Sequence, residues 1–347
     1  GTRAGRCGAS HASILALLVV VADDLFIKTM TVSKVMEAGL TLAICHWACT
    51  TQLQSFIAVR LVSWRLPSLR TQAVALNARK NQASVLENEW AGCQLICFGS
   101  NAEGQCNVPA DLGLVATVAA SGSHTCAVRV DGELVCFGYN EHGNCDIPED
   151  LGPVSAVATG QFHTCALRTN GQLLCFGRNY NGQCDVPEDL GSVLAVAVGD
   201  CHTCAIRTDG ELVCFGCNTD GQCDVPADMG QVLAVATGDC HNCAIRADGE
   251  LVCFGCNTYG RCDWTASLGP VVAVAAGSWY TCAVRTDGQL VCFGYNEVGQ
   301  CEVPADLGPV SAVAAGFSHT CAVCKDGRLV CFGGIEAVPA GLGYVSA

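Results

Sequence analysis

Residues 280–294 read Tyr280-Thr-Cys-Ala-Val-Arg-Thr-Asp-Gly288-Gln-Leu-Val-Cys-Phe-Gly294. Two apolar runs flank Asp287-Gly288, a dipeptide that closes hairpins because glycine accepts the positive φ such a turn requires. The stretch therefore reads as a β-hairpin. Its closing Cys-Phe-Gly recurs with phenylalanine at Phe98, Phe137, Phe176, Phe215, Phe254, Phe293 and Phe332, always 39 residues apart. A constant period of that size marks one supersecondary unit copied several times, each copy covering its apolar surface with its neighbours.

Working outward, Pro270-Val-Val-Ala-Val-Ala-Ala-Gly277 carries small and β-branched residues on both faces, the pattern of a short strand buried on both sides. Downstream, Tyr295-Asn-Glu-Val-Gly-Gln-Cys-Glu-Val-Pro304 reads as a turn and a short outer strand ended by proline. Four short strands per copy are the content of one propeller blade, and seven copies predict an all-β, seven-bladed β-propeller over residues 71–347. Helical periodicity is absent from the repeat, which excludes solenoids of helix pairs. The first copy is degenerate, with Ser84-Val-Leu-Glu-Asn-Glu-Trp-Ala-Gly-Cys-Gln-Leu95 in place of the His-Thr-Cys hairpin. Val338–Ala347 opens an eighth unit, expected to pair into the first blade and latch the ring; Thr71–Leu76 competes for the same slot.

Half of the 347 residues are hydrophobic and 14% are charged, so a large core is available and disordered or collagen-like classes are excluded. Through Lys80 there are nine basic residues against Asp23, Asp24 and Glu37; the remainder carries nine against 29 acids, a net charge near −20. Such a surface repels phosphate backbones, so direct nucleic-acid binding is not expected. Acids recur after the outer strand, as in Glu149, Asp150, Glu188, Asp189 and Asp228. They are expected to line one rim and receive a basic protein partner.

At the N-terminus, Arg3 and Arg6 precede the apolar run Ile14–Ala22, with Val20-Val-Ala22 as a small-residue cleavage site, so residues 1–22 resemble a secretory signal; the alternative is a buried strand or helix of an extra element. The run is short of the roughly 20 residues a membrane-spanning helix needs. Residues 23–70 read as a partly helical extension and linker, ending near Pro67 and Leu69-Arg-Thr-Gln. The apolar stretch between Thr29 and Trp64 leaves membrane contact open.

Cysteine is abundant, at 28 residues, and all but Cys7, Cys45 and Cys49 follow residue 70. Within each hairpin two cysteines lie ten apart: Cys126 with Cys136, Cys165 with Cys175, Cys204 with Cys214, Cys243 with Cys253, Cys282 with Cys292, and Cys321 with Cys331. A turn centred on the Asp places each pair directly opposite, with Cβ atoms about 4.5–5.5 Å apart, close enough to bridge. Cys201 with Cys217 and Cys240 with Cys256 occur jointly in two copies and share the same hairpin register, which points to a second cross-strand disulfide in each. Free buried thiols are one rival. Zinc is another, since Cys201-His-Thr-Cys204 with Cys214-Phe-Gly-Cys217 reads as paired C-x-x-C, but strand residues three apart point to opposite faces. No metal or cofactor is expected. Oxidised cysteines imply a secretory or extracellular protein, free ones a cytoplasmic protein.

His124, His163, His202, His241 and His319 recur at one position, where Tyr280 substitutes in one copy. A catalytic base needs a unique constellation, so a structural hydrogen-bonding role is expected and no enzyme activity is assigned. Cys324 is a candidate reactive thiol, weighed against drift of one copy.

In order, Ala-x-Gly, His-Thr, Ala-Val/Ile/Leu-Arg, Asp-Gly, aromatic-Gly, Asn and Gly-Gln resemble the repeat of the regulator of chromosome condensation family, a seven-bladed propeller superfamily that includes β-lactamase inhibitor protein II. The resemblance covers residues 73–347. Phe-Gly stands where Trp-Gly is usual, and Cys replaces the Leu after Gly-Gln. The resemblance implies several functions: exchange of nucleotide on a small GTPase, substrate recruitment in ubiquitin ligases, ultraviolet-B reception and β-lactamase inhibition. Ultraviolet reception needs clustered tryptophans, and only Trp90, Trp264 and Trp279 lie in this region. The reading is a monomeric, non-catalytic protein-binding scaffold, with exchange factor or ubiquitin-ligase recognition module as alternatives, because fold alone does not choose.

Overall fold

The computed structural model describes residues 18–22, 95–264 and 268–334. Strand β1 (Leu18–Ala22) pairs in parallel with β2 (Leu95–Gly99), the Cys-Phe-Gly strand of the first copy. Three sheets follow: β3–β5 (Val115–Ala120, His124–Arg129, Leu134–Gly138), β6–β8 (Val154–Thr159, His163–Arg168, Leu173–Gly177) and β9–β11 (Val193–Val198, His202–Arg207, Leu212–Gly216). Three more complete the series: β12–β14 (Val232–Thr237, His241–Arg246, Leu251–Gly255), β15–β17 (Val271–Ala276, Tyr280–Arg285, Leu290–Gly294) and β18–β20 (Val310–Ala315, His319–Cys324, Leu329–Gly333). Each is a three-stranded antiparallel meander in chain order. The expected helix within 23–70, the degenerate Ser84–Leu95 apart from Leu95, and both latch segments, Val338–Ala347 and Thr71–Leu76, lie outside the described residues. No helix among the described residues is long and apolar enough to cross a membrane.

The sequence predicts four strands per blade; the structure forms three. The expected outer strand closes on itself as a loop instead. Asn140 Oδ1 accepts the Cys145 amide at 2.7 Å and its Nδ2 donates to Asp146 at 2.7 Å, and Asn179, Asn218 and Asn257 repeat both bonds. With these polar groups satisfied locally and proline lacking a donor, no ladder partner is needed.

The first strand of each blade is buried on both faces, as its small residues require, apart from its second position and, in β3 and β6, the half-buried Thr117 and Ala156. Cores form between successive blades. Ala234, Ala236, Cys243 and Ile245 of one blade, for example, pack with Val271, Val274 and Ala283 of the next. Polar bonds reinforce this stacking: His124 Nε2 meets Thr164 Oγ1 of the next blade at 2.8 Å, His163 meets Thr203 at 3.1 Å, His202 meets Asn242 at 2.7 Å and His241 meets Thr281 at 3.0 Å. The Tyr280 hydroxyl donates to the His319 carbonyl, so the copy with tyrosine in place of histidine keeps the bridge.

Burial pushes the His124 imidazole down to about 3 from an ordinary 6.5. The unfolded chain therefore binds the extra proton between those values, and stability falls as pH drops from 6.5 towards 3. About 2 kcal/mol should be lost by pH 5 relative to pH 7.5. Urea titrations at the two pH values measure the loss, and His124→Gln should make the difference smaller.

Candidate protein-binding faces

Loops emerge at two ends of the blades. One end holds the hairpin turns and the Pro-Glu-Asp segments that lead into the next blade, joined by bonds such as Val154 N to Gly132 O at 2.9 Å and Thr169 N to Pro153 O at 3.0 Å. This is where Glu149, Asp150, Glu188, Asp189 and Asp228 lie, all exposed. The expected acidic rim is not bare. Arg129 pairs with Glu133 at 3.2 Å, Arg207 with Glu211 at 3.1 Å and Arg246 with Glu250 at 3.1 Å. Arg168, whose turn carries Asn170 and Gln172 instead of acids, reaches Asp150 at 4.0 Å. Such exposed pairs contribute only about 0–1 kcal/mol each, but they lower the field a cationic partner would meet. An open cavity of about 380 Å³, lined by Arg168, Leu174, Pro187 and Glu188 among others, lies at this end.

At the opposite end the turn between the first and second strands meets the loop after Cys-Phe-Gly: Arg178 N donates to Phe162 O at 2.8 Å, Cys217 N to Cys201 O at 2.8 Å and Tyr295 N to Trp279 O at 3.0 Å. Here the blades differ from one another. Tyr139, His142, Phe162 and Tyr180 form one aromatic group, with His142 edge-on to Phe162 at 5.1 Å between centroids. The Arg178 guanidinium lies 5.3 Å from the Phe162 ring centre and 4.9 Å from that of Tyr180. Tyr259, Trp279, Tyr295 and Phe317 form a second group, with centroids 4.6–6.1 Å apart. Tyr180 is 76% exposed and Tyr259 50%. The blade between the two groups carries Cys201 and Cys217, and the next, which also bears Tyr259, carries Cys240 and Cys256.

The six hairpin cysteine pairs face each other in register, with sulfurs at bonding distance and Cα atoms 4.0–4.1 Å apart. Cys201, Cys217, Cys240 and Cys256, expected to form second bridges, are thiols in the structure. The reason lies in the ladder's alternation. Cys217 N bonds Cys201 O, and Arg207 N bonds Glu211 O in the same parity, so Cys201 and Cys217 occupy a hydrogen-bonded site, where side chains stand farther apart. Cys204 and Cys214 occupy the close, non-hydrogen-bonded site. Burial, then Asp200, pushes Cys201 up to about 11; burial, then Asp239, pushes Cys240 up to about 12. Both stay protonated at neutral pH and are weak nucleophiles. Among the described residues, no three or more His, Cys, Asp or Glu side chains converge as a metal site. Cys324 is buried, donates to the Leu307 carbonyl at 3.0 Å and has its pKa raised by burial, so it packs at the position other blades give to arginine.

The sequence reading located the acids but missed the aromatic groups as a surface. The available signal was the paired departures from the repeat, Phe162 with Arg178 and Trp279 with Tyr295.

Successive meander sheets with side chains spent on blade-to-blade packing and variable loops at two ends define a β-propeller repeat protein. The Regulator of chromosome condensation (RCC1) repeat matches residues 115–144, 154–183, 193–222, 232–261, 271–300 and 310–334. The chain belongs to that family. No curated protein sequence matches it. Among solved structures, it is similar to the ectodomain of the Physcomitrella patens receptor kinase CR4, at 25% identity and TM-score 0.53, over 61% of each chain. It thus spans less than two thirds of that relative. The CRINKLY WD40 ectodomain of the Arabidopsis thaliana receptor kinase ACR4 matches at 22% identity and TM-score 0.52, over 62% of this chain and 81% of that one. Prp20p from Saccharomyces cerevisiae, described together with its binding to Gsp1p and histones, matches at 18% identity and TM-score 0.57, over 65% of this chain and 73% of that one.

Proposed function

We infer that this chain is a non-catalytic protein-binding scaffold, a propeller closed by seven copies that presents loops to a partner and works in an oxidising compartment. The observation that carries this is the contrast between interior and loops. The recurring histidines are spent on bonds to the next blade, whereas the exposed end bearing Tyr180 and Tyr259 differs from copy to copy. Repetition inside with variation outside suits recognition by loops on a rigid frame. The six cysteine pairs at bonding distance and the likeness to receptor ectodomains support the compartment.

Two variant sets separate the ends. One is Glu149→Gln with Asp150→Asn, Glu188→Gln and Asp189→Asn; the other is Tyr180→Ala with Tyr259→Ala. Cross-linking of tagged full-length chain in its native source, read by mass spectrometry, is expected to recover a protein partner whose yield drops at least five-fold with one set. Absence of any partner, or stimulated nucleotide release from a small GTPase, overturns the scaffold reading.

A further inference from the structure

The two aromatic groups occupy equivalent places in the repeat, three copies apart: His142 corresponds to Tyr259, Phe162 to Trp279, Arg178 to Tyr295 and Tyr180 to Glu297. In the first junction the protein supplies its own cation, since Arg178 lies 5.3 Å from the centre of Phe162 and 4.9 Å from that of Tyr180. In the second, the arginine is replaced by Tyr295, which stands edge-on to Trp279 at 5.4 Å and donates its hydroxyl to Glu297 at 2.7 Å. Three aromatic rings and a carboxylate thus line the second junction, with the Tyr295 ring where the first junction has its guanidinium. Arg261 is 5.5 Å from the Tyr259 ring centre, but it is buried and donates to the Ser278 carbonyl at 3.2 Å; among the described residues no cation is seated on Trp279 or Tyr295. The surrounding field has the matching sign. Loops at this end carry Glu103, Glu141, Asp200, Asp220, Asp239 and Glu297 against Arg178 and Arg261 among the described residues.

We propose that the Tyr259–Trp279–Tyr295 junction with Glu297 is a receptor for an arginine or lysine side chain presented by an exposed segment of a protein partner. The proposal rests on the scaffold reading and specifies which end binds and what it takes. A cation meets the ring faces through their quadrupoles, tryptophan most strongly, while the carboxylate supplies a charge-assisted hydrogen bond. Arg178 against Phe162 and Tyr180 is the internal precedent for a guanidinium held on aromatic rings at this end.

The test uses the full chain and a fluorescein-labelled octa-arginine peptide, followed by anisotropy at physiological salt, with octa-citrulline as the uncharged, nearly isosteric control. Octa-arginine should bind and octa-citrulline should not. Trp279→Ala should weaken binding about ten-fold, Trp279→Phe less, and Glu297→Gln by several-fold. Neutralising Glu149, Asp150, Glu188 and Asp189 at the other end should change it less than two-fold. Trp279→Phe retains a ring for packing, and an unchanged melt for it keeps the comparison valid should the alanine variant unfold. Equal binding of octa-citrulline, or octa-arginine binding that is indifferent to both Trp279 variants, overturns the site. In that event a partner still cross-linked to the native chain leaves the scaffold reading standing, so the two failures are distinguishable.

Discussion

Reduction with a phosphine is expected to lower the melting temperature by about 20 °C. Each hairpin bridge closes a loop of roughly ten residues, and loop-closure entropy assigns about 2–3 kcal/mol to a loop of that length. Six such bridges, discounted for structure retained in the reduced unfolded chain, contribute on the order of 10 kcal/mol, comparable to the whole stability of an ordinary domain. For a body of this size, 1 kcal/mol shifts the midpoint by about 2–4 °C. Calorimetry with and without reductant measures the shift, and alkylation followed by intact mass counts the protected cysteines. Twelve should resist alkylation until reduction: Cys126, Cys136, Cys165, Cys175, Cys204, Cys214, Cys243, Cys253, Cys282, Cys292, Cys321 and Cys331. Cys201, Cys217, Cys240 and Cys256 should label without it when the fold is loosened. Protection of none of the twelve in protein from its native source would remove the argument for an oxidising compartment. A midpoint unmoved after demonstrated reduction would mean that inter-blade packing alone holds the fold.

That register was legible because spacing determines it. Once Asp-Gly centres the turn, Cys204 must face Cys214 and Cys201 must face Cys217. What spacing does not encode is parity: whether a facing pair occupies a close or a hydrogen-bonded site depends on which amides the ladder pairs, and this separates the bridged Cys204 from the free Cys201. The missing fourth strand has a similar cause. Cys301-Glu-Val-Pro304 alternates like a strand, but the Asn296 side chain accepts the Cys301 amide at 2.8 Å and diverts it. Loop-closing bonds from an asparagine side chain leave no mark on hydrophobic periodicity. At the candidate site, composition flagged Glu149 and Asp150, yet the arginine that ends the second strand in every described blade but the last partly occupies that end. The aromatic residues are separated in sequence, and only the bonds of Arg178 to Phe162 and of Tyr295 to Trp279 bring them to one surface.

Gly238→Ala should destabilise the protein by about 3–5 kcal/mol, with the midpoint falling by roughly 10 °C. A Cβ there would stand 2.1 Å from His241 Cε1, 2.3 Å from its Nδ1 and 2.6 Å from the Gly277 carbonyl oxygen of the next blade. The imidazole cannot simply swing away, because its Nε2 holds Thr281 Oγ1 at 3.0 Å in a fully buried site, and releasing it leaves polar atoms unpaired away from water. Gly152 is the control. Its φ of 65° disfavours a side chain, but a Cβ at that position would meet nothing within 4 Å, so Gly152→Ala should cost only about 1 kcal/mol. Combining Gly238→Ala with His241→Ala separates the two obstacles: the ring clash disappears while the Gly277 carbonyl contact persists, so the double variant should fall short of the sum of the singles. Additive losses would show that the glycine's closeness to the backbone of the next blade, and not to the histidine, sets the spacing between blades. That spacing also positions Asp239 and Cys240, which follow Gly238 directly at the variable end, so Gly238→Ala should weaken octa-arginine binding more than Gly152→Ala does.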